Sequence, residues 1–572
     1  MKNQELVKIF YNIADILEIK NVEWKPLAYR KAARAIEVLG EDVEDIYKKG
    51  GVKELKEIPG VGERIAEKIE EFIKTNKIKE YEELKKTIPK HLTELMEVPG
   101  LGAKKVKKLY ETLNIKSVKE LERAAKQHKI SGLETFKEKS EENILKGIEL
   151  IKKGKGRILL GVALPMARNI IEELKTLKEV KNISVAGSLR RMEETIGDID
   201  ILAISSNPKK IMDKFTNLKD VNRILAKGET KSMVSLENGI QADIRVLDEK
   251  SYGAALQYFT GNKGHNIRLR ELAIKKGYKL NEYGLFKKDK YVCGRTEKEI
   301  YNKLGLGYIE PELRNNTNEL EAAKTGKLPK LIKLNDIKGD FHVHTMDSDG
   351  DNSIEEMAIA AKKLGYEYVC ISDHSKLIAV ANGMDEERLL KQISEIDKLN
   401  KRFKNFRILK GAEVDILNDG SLDYSDNVLK KLDIVGVSVH SGFKSDEKKM
   451  TNRIIRALEN KYVKIFYHPT GRMINEREPY NVDLDSVMDV AKEKKKFLEI
   501  NANIHRLDLT DYHIKKAIEK GVRLAIGTDS HNREHLKGME YGVALARRGW
   551  CEEKDVINTL NLKEIKKLFS VD

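Results

Sequence analysis

The sequence predicts a multidomain α/β protein: helical modules first, then a domain built on a mixed β-sheet, then an α/β barrel. Three observations carry this. Apolar residues recur at helical spacing in the first 85 residues, as at Leu6, Ile9, Ile13, Ile16 and Leu17. Strand-like runs carrying acids fall between residues 198 and 247. The last part repeats short apolar runs that end in polar residues, with helical patterns between them, as a barrel with its site at the strand C-termini would. A length of 572 residues leaves room for several domains of about 150 residues each.

Charge divides the chain unevenly. The net +15 belongs wholly to residues 1–340, and residues 341–572 sum to zero. A basic first part favours a polyanionic partner. The nearest approach to a membrane span is the run 158–167, broken by Gly161 and Pro165 and shorter than the ~18 apolar residues required. No membrane partner is expected. The N-terminus has no apolar signal core. Cys293, Cys370 and Cys551 lie far apart, which predicts a reducing, cytoplasmic setting.

Within the helical part, Ile-Pro-Gly-Val-Gly at 58–62 is echoed by Val-Pro-Gly-Leu-Gly at 98–102, each leading into a basic helix. This is the helix-hairpin-helix signature. Gly60, Gly62, Gly100 and Gly102 let the backbone turn tightly against a phosphate, and the following helix offers free N–H groups to it. Such contacts grip DNA without reading its sequence.

The centre of the chain is the stretch 185–202. It turns at Gly187-Ser188, follows with Arg190 and Arg191, and ends in a strand bearing Asp198 and Asp200. Carboxylates two apart on a strand share a face, and their repulsion calls for a cation between them. Oxygen ligands select magnesium or manganese. A helix start with a hydroxyl and arginines suits a phosphate. A third acid, Asp243, lies on the polar face of the alternating run 241–247. Together these read as phosphoryl or nucleotidyl transfer.

The C-terminal part holds nine of the twelve histidines. His342 and His344 share one strand face, followed by Asp349, His374, Glu413, His440, His468, Asp529 and His531. Six histidines and three acids exceed the four ligands of a closed structural zinc. They suggest two or three Zn or Mn ions that activate water and neutralise a phosphate. His505, His513 and His535 are expected at the surface.

Gly-Ser-Leu-Arg-Arg…Gly-Asp-Ile-Asp, followed by a strand aspartate, resembles the family X DNA polymerases. Residues 340–531 resemble the polymerase and histidinol phosphatase (PHP) domain, with all nine ligand positions filled. The resemblance implies a lyase-like helical domain at 1–85, a fingers-like domain at 86–145, a nucleotidyltransferase palm at 146–255 and a thumb at 256–312. A polar linker at 313–335 and a distorted, TIM-like PHP barrel at 336–572 complete it. In the palm, Asp198, Asp200 and Asp243 would hold two Mg²⁺, and Ser188 and Arg191, with Arg190, the β and γ phosphates of a dNTP. Tyr258, Phe259 and Gly261 would wall the sugar, Lys263 reach the phosphates, and Asn266 and Arg270 touch the nascent pair and the template. Lys68 stands where animal repair polymerases carry a Schiff-base lysine for 5′-deoxyribose phosphate; Arg64 replaces a second lysine of those enzymes. A lyase lysine must be a neutral amine, and Lys68 has acidic neighbours.

The implied function is a monomeric DNA polymerase filling gapped or nicked DNA in base excision repair. The PHP domain would supply a 3′→5′ exonuclease and, secondarily, abasic-site cleavage. Two other readings stand beside it: a non-templated nucleotidyltransferase with an accessory phosphatase, and a catalytically weak DNA-structure binder.

Overall fold

The computed structural model describes residues 2–20, 22–37, 39, 42–86, 95, 98, 101, 103–133, 136, 141, 144, 145, 148 and 157–571. They form two compact units: 1–158, 167–190 and 196–327 in the first, and 159–166, 191–195 and 328–572 in the second. Gly100 and Gly102 lie outside the described residues.

The first unit begins with helices. Lys2–Ile19, Lys25–Glu37, Val43–Gly50 and Glu63–Thr75 bury Leu6, Phe10, Ile13, Ile36, Ile65, Ile69 and Phe72 in one core. Ile16 turns instead to a second core with Leu95, Val98, Leu109 and Leu121. The apolar stripe seen in the sequence is thus split between two neighbours.

The mixed sheet of this unit has five strands: β1 (Val180–Val185), β2 (Asp198–Ser205), β3 (Val221–Lys227), β4 (Lys231–Leu236) and β5 (Gln241–Leu247). Their order is β1-β2-β5-β4-β3, with β2 and β5 parallel and the other pairs antiparallel. On β2, Ile199 and Ile201 are buried on one face, and Asp198 and Asp200 take the other. The helix Tyr252–Thr260 packs Tyr252 and Ala255 on Ala186, Leu202 and Ile204. The helix ends at Gly261, whose φ of +67° caps it. A three-stranded sheet follows: β6 (Lys279–Asn281), β7 (Gly284–Lys287) and β8 (Lys290–Cys293).

The expected linker at 313–335 is corrected in its first part, 313–320, which is folded into the first unit; the division between the units, at 327/328, falls inside the rest. Arg314 and Glu319 are fully buried. Arg314 donates through Nη1 to Glu297 Oε1 at 2.6 Å and through Nη2 to the Ile309 carbonyl at 2.8 Å. Glu319 accepts from the Thr317 N–H and faces His265 Nδ1 at 2.7 Å. Arg314 and Glu319 read as polar in sequence yet are paired in the interior, whereas Glu321, Lys324, Lys327, Lys330 and Lys333 further along the segment are exposed to water. Burial pushes the Glu297 carboxyl up, yet the guanidiniums of Arg314 and Arg190 hold it at about 2. A carboxyl lowered from 4.5 to about 2 corresponds to about 3 kcal/mol. That stability is present above the unfolded value near 4.5 and is lost as pH falls toward 2. Glu297→Gln should therefore lower thermal stability clearly at pH 7, with the gap to the parent closing in acid. A gap that stayed constant to pH 3 would place its origin in packing rather than charge.

The second unit is built on seven parallel strands in chain order: β9 (Gly339–Val343), β10 (Tyr368–Ile371), β11 (Arg407–Asp415), β12 (Ile434–Ser438), β13 (Val463–Phe466), β14 (Phe497–Asn501) and β15 (Leu524–Gly527). A parallel bridge from Val343 to Ser530 brings the ends of the sheet together into a nearly closed barrel. Strands β9, β10, β12, β14 and β15 are buried throughout, as helix-covered parallel strands are. Phe341, Tyr368, Leu409, Ile465, Tyr467 and Ala525 share one core. Within the same unit, the 191–195 segment is held by charge: Arg472 donates to Glu194 at 3.1 Å and Arg548 pairs with Glu193 at 2.9 Å.

Candidate active sites

In the first unit, parallel pairing sets Asp200 directly beside Asp243 and Asp198 beside Gln241. All three acids share the polar face of the β2–β5 pair. Asp198 is exposed, Asp200 half-buried and Asp243 buried. Burial, followed by the charges of Asp198 and Asp243, pushes the Asp200 carboxyl up to about 7. Burial likewise raises Asp243, against a hydrogen bond from Gln241 Nε2 at 2.8 Å. Three carboxylates this crowded want a cation. Gly187 turns at φ +62°, and a Cβ there would run into Asp200 Oδ2. Only glycine lets the Ser188 turn, Gly187–Arg190, come so close to the acids.

Arg190 is engaged elsewhere. It donates to Glu297 with both Nη1 (2.9 Å) and Nη2 (2.6 Å), and Nη1 also reaches Thr260 Oγ1 at 2.7 Å. Its fork thus ties the turn to the helix Tyr252–Thr260 and to Glu297, rather than standing ready for a triphosphate. Arg191 pairs through Nε with Glu193 at 3.3 Å. Tyr258 and Phe259 pack edge to face at 5.1 Å, with the Arg245 guanidinium 4.5 Å over the Phe259 ring. Asn266 is fixed by Gln257 Nε2 and donates to the Tyr258 carbonyl, both at 2.7 Å. Lys263 and Arg270 are exposed on the helix Lys263–Lys275.

In the first hairpin, Gly60 turns at φ +84° and Gly62 precedes Glu63–Thr75, whose N-terminus no side chain caps. A Cβ on Gly62 would meet nothing, so its face is open to a ligand backbone. Lys68 is ion-paired with Glu80, which also accepts from Tyr29 Oη at 2.8 Å. That pairing engages the Lys68 amine with a carboxylate, where a lyase would need it free to attack a sugar aldehyde.

In the second unit, the nine sequence-predicted residues converge at the C-terminal rim of the barrel. Glu413 is their hub: Oε1 lies 2.7 Å from His468 Nε2 and 3.3 Å from His440 Nε2. Its Oε2 lies 3.0 Å from His374 Nδ1, 3.4 Å from His342 Nε2 and 3.6 Å from His344 Nε2. Asp529 Oδ1 faces His344 Nε2 at 3.3 Å, and Asp349 Oδ2 faces His531 Nε2 at 3.3 Å and His374 Nε2 at 3.6 Å. Three overlapping groups result: His344, Asp349, His374 and His531; His342, His344 and Asp529; and His374, Glu413 and His440.

The donor set fits divalent cations by its own chemistry. His342 Nε2, both His344 nitrogens, His374 Nδ1 and His468 Nδ1 are buried without a hydrogen-bond partner. Orphaned imidazole nitrogens among carboxylates are expected where a cation completes them. Burial pushes His344 and His468 each down to about 3, toward the neutral ring a ligand needs, while the clustered carboxylates outweigh burial at His342 and lift His440 and His531 to about 9. His468 and Asp529 sit at φ +28° and +53°, strain that a functional site sustains.

Sequence reading missed the layer behind these ligands. Glu499, fully buried on β14, accepts His342 Nδ1 at 2.6 Å and the His468 N–H at 2.6 Å, orienting two ligands at once. Asn501 donates to Glu499 and to Asp529. The signal was present: Phe-Leu-Glu-Ile-Asn places two polar residues on one face of an otherwise apolar strand. Arg506, which borders the cluster, was missed as well. Of the three histidines expected at the surface, His535 is exposed, His505 is about half exposed, and His513 is half-buried beside Thr510 Oγ1 at 3.0 Å.

Comparison with known proteins matches four families along the chain: a helix-hairpin-helix domain at 1–78, a SAM-like helix-hairpin-helix tandem at 92–149, the DNA polymerase beta thumb at 255–315 and the PHP domain at 340–503. The DNA polymerase/3′-5′ exonuclease PolX of Bacillus subtilis is 40% identical over 571 residues, 99% of both chains. A repair DNA polymerase X of African swine fever virus is 39% identical over 144 residues, 23% of this chain and 82% of its own. A probable phosphatase of Thermoanaerobacter is 33% identical over 232 residues, 38% of this chain and 89% of its own.

Proposed function

This chain belongs to the family X DNA polymerases that carry a PHP domain, and we propose that it fills short gaps during base excision repair, trimming primer 3′ ends at the barrel rim. It is a DNA polymerase and 3′→5′ exonuclease that binds DNA and depends on divalent metal. The observation that carries the two-centre reading is the pairing of Asp200 with Asp243 in one unit and the orphaned histidine cluster in the other.

Asp198, Asp200 and Asp243 would hold Mg²⁺, and the nine barrel residues Zn²⁺ or Mn²⁺. When bound, such ions supply charge neutralisation and Lewis acidity for attack at phosphorus. The chain's own residues do the rest. Asp243 completes the acid set on the side meant for the primer 3′-hydroxyl. Ser188 and Arg191 grip the dNTP phosphates, while Arg190 keeps the turn in place through Glu297. Tyr258 and Phe259 wall the sugar, and Asn266, fixed by Gln257, faces the nascent pair. In the barrel, Glu499 holds the His342 ring in one orientation. Abasic-site cleavage is a secondary activity of the same rim. The chain acts as a monomer in the cytoplasm; among the described residues, no helix is long and apolar enough to cross a membrane.

The test is a gapped duplex with a labelled primer, incubated with Mg²⁺ or Mn²⁺, with and without dNTPs. Template-directed extension with dNTPs and 3′ shortening without them are expected. Untemplated addition would replace this reading with a terminal transferase, and binding without either reaction with a structural role.

A further inference from the structure

The barrel cavity, about 380 Å³, is lined by Asp349, Glu413, Asp529, their partner histidines and one cationic side chain that none of the expected ligand roles uses, Arg506. Among its described lining residues no other arginine or lysine occurs. Arg506 Nε lies 3.3 Å from Asp529 Oδ2. Its Nη1 is buried and has no hydrogen-bond partner. Arg407, Arg523 and Arg548 also carry a buried, unpaired guanidinium N–H, but only Arg506 does so while lining the cavity of the cluster.

The backbone around it is pinned. The Arg506 N–H donates to the Asn503 carbonyl at 2.8 Å, and the Arg506 carbonyl accepts from Arg472 Nε at 2.9 Å. Asn503 is in turn held by Asn501 Oδ1 at 3.1 Å, and Asn501 also donates to Asp529 at 3.2 Å. The side chain is thus fixed at the cluster's edge with one N–H pair unspent. A planar, permanently charged fork is suited to a phosphate oxygen.

We propose that Arg506 clamps the scissile phosphodiester of a DNA 3′ end, and the phosphate of the released nucleoside monophosphate, against the barrel centre. Asp529 orients the guanidinium through Nε, and Nη1 donates to a non-bridging phosphate oxygen. Arg506 is therefore a substrate-binding residue of the nuclease.

The inference rests on the barrel's being the nuclease. Full-length Arg506→Met and Arg506→Lys chains would be assayed with Mn²⁺ on a labelled single-stranded oligonucleotide. Inorganic phosphate would serve as competitor, and bound metal would be measured by mass spectrometry. For Arg506→Met, unchanged metal content is expected, with KM and the phosphate inhibition constant each raised about tenfold or more. Arg506→Lys should recover part of the loss, and extension of a gapped duplex should stay at the parental rate in both. Metal content falling in step with activity would reduce Arg506 to a counter-charge for Asp529. An unchanged phosphate inhibition constant would overturn the clamp alone. DNA degradation surviving in a His342→Ala, His344→Ala chain would instead overturn the nuclease assignment beneath it.

Discussion

Asp200→Asn is expected to lower single-nucleotide incorporation on a gapped duplex by at least about 10³-fold, roughly 4 kcal/mol of transition-state stabilisation. The reason is local. Asp200 sits between Asp198, two residues away on its own strand, and Asp243, directly across on the parallel neighbour. Burial and these two charges lift its carboxyl to about 7, so it is the member of the set that most needs a cation to stay ionised. Asparagine keeps the shape and removes the charge, so the fold should survive while the ion site fails. Two readouts separate these effects. Without divalent ions the variant should melt no lower than the parent, because like-charge repulsion has been relieved. With added Mg²⁺ the parent should gain more thermal stability than the variant. The barrel exonuclease of the same preparation should be unaltered. Retention of a tenth or more of the incorporation rate would remove Asp200 from the catalytic set.

What could be read in the sequence follows the range of the physics involved. Asp198 and Asp200 sharing a face is a two-residue effect of strand geometry, and the sequence shows it directly. The register that brings Asp243 beside Asp200 is set across more than forty residues, and only the coincidence of motifs suggested it. Arg190 was legible as a cation after a turn but not as a buried ion-pair partner, since Glu297 lies 107 residues further on. The same blindness drew 313–320 into the expected linker: spacing cannot tell Arg314, paired in the interior, from a charge in water. Glu499 was hidden for the opposite reason. It sits in an apolar strand, where one acid reads as an irregularity until the histidine it orients is seen 157 residues away. The histidines themselves were plain, because ligand types clustered at strand ends have few other uses.

Replacing Glu413 with glutamine should lower the exonuclease rate by about 10³-fold or more while primer extension continues. Glu413 is 1% exposed, and its two oxygens face different imidazoles: Oε1 those of His440 and His468, Oε2 those of His342, His344 and His374. One carboxylate thus contributes charge to two sides of the cluster. An amide cannot do this. Its NH₂ would point a donor at rings whose lone pairs are meant for cations, and the cluster would lose its central negative charge. Bound Mn²⁺, measured by mass spectrometry, should fall along with activity. Glu499→Gln offers a graded comparison, because Glu499 touches ligands rather than occupying the cluster's centre. It orients His342, so its loss should cost about 10–100-fold in metal affinity or activity, well short of Glu413→Gln. If the two variants lost activity equally with metal content intact, Glu413 would be acting as a proton carrier rather than as the hub of the ion-binding set.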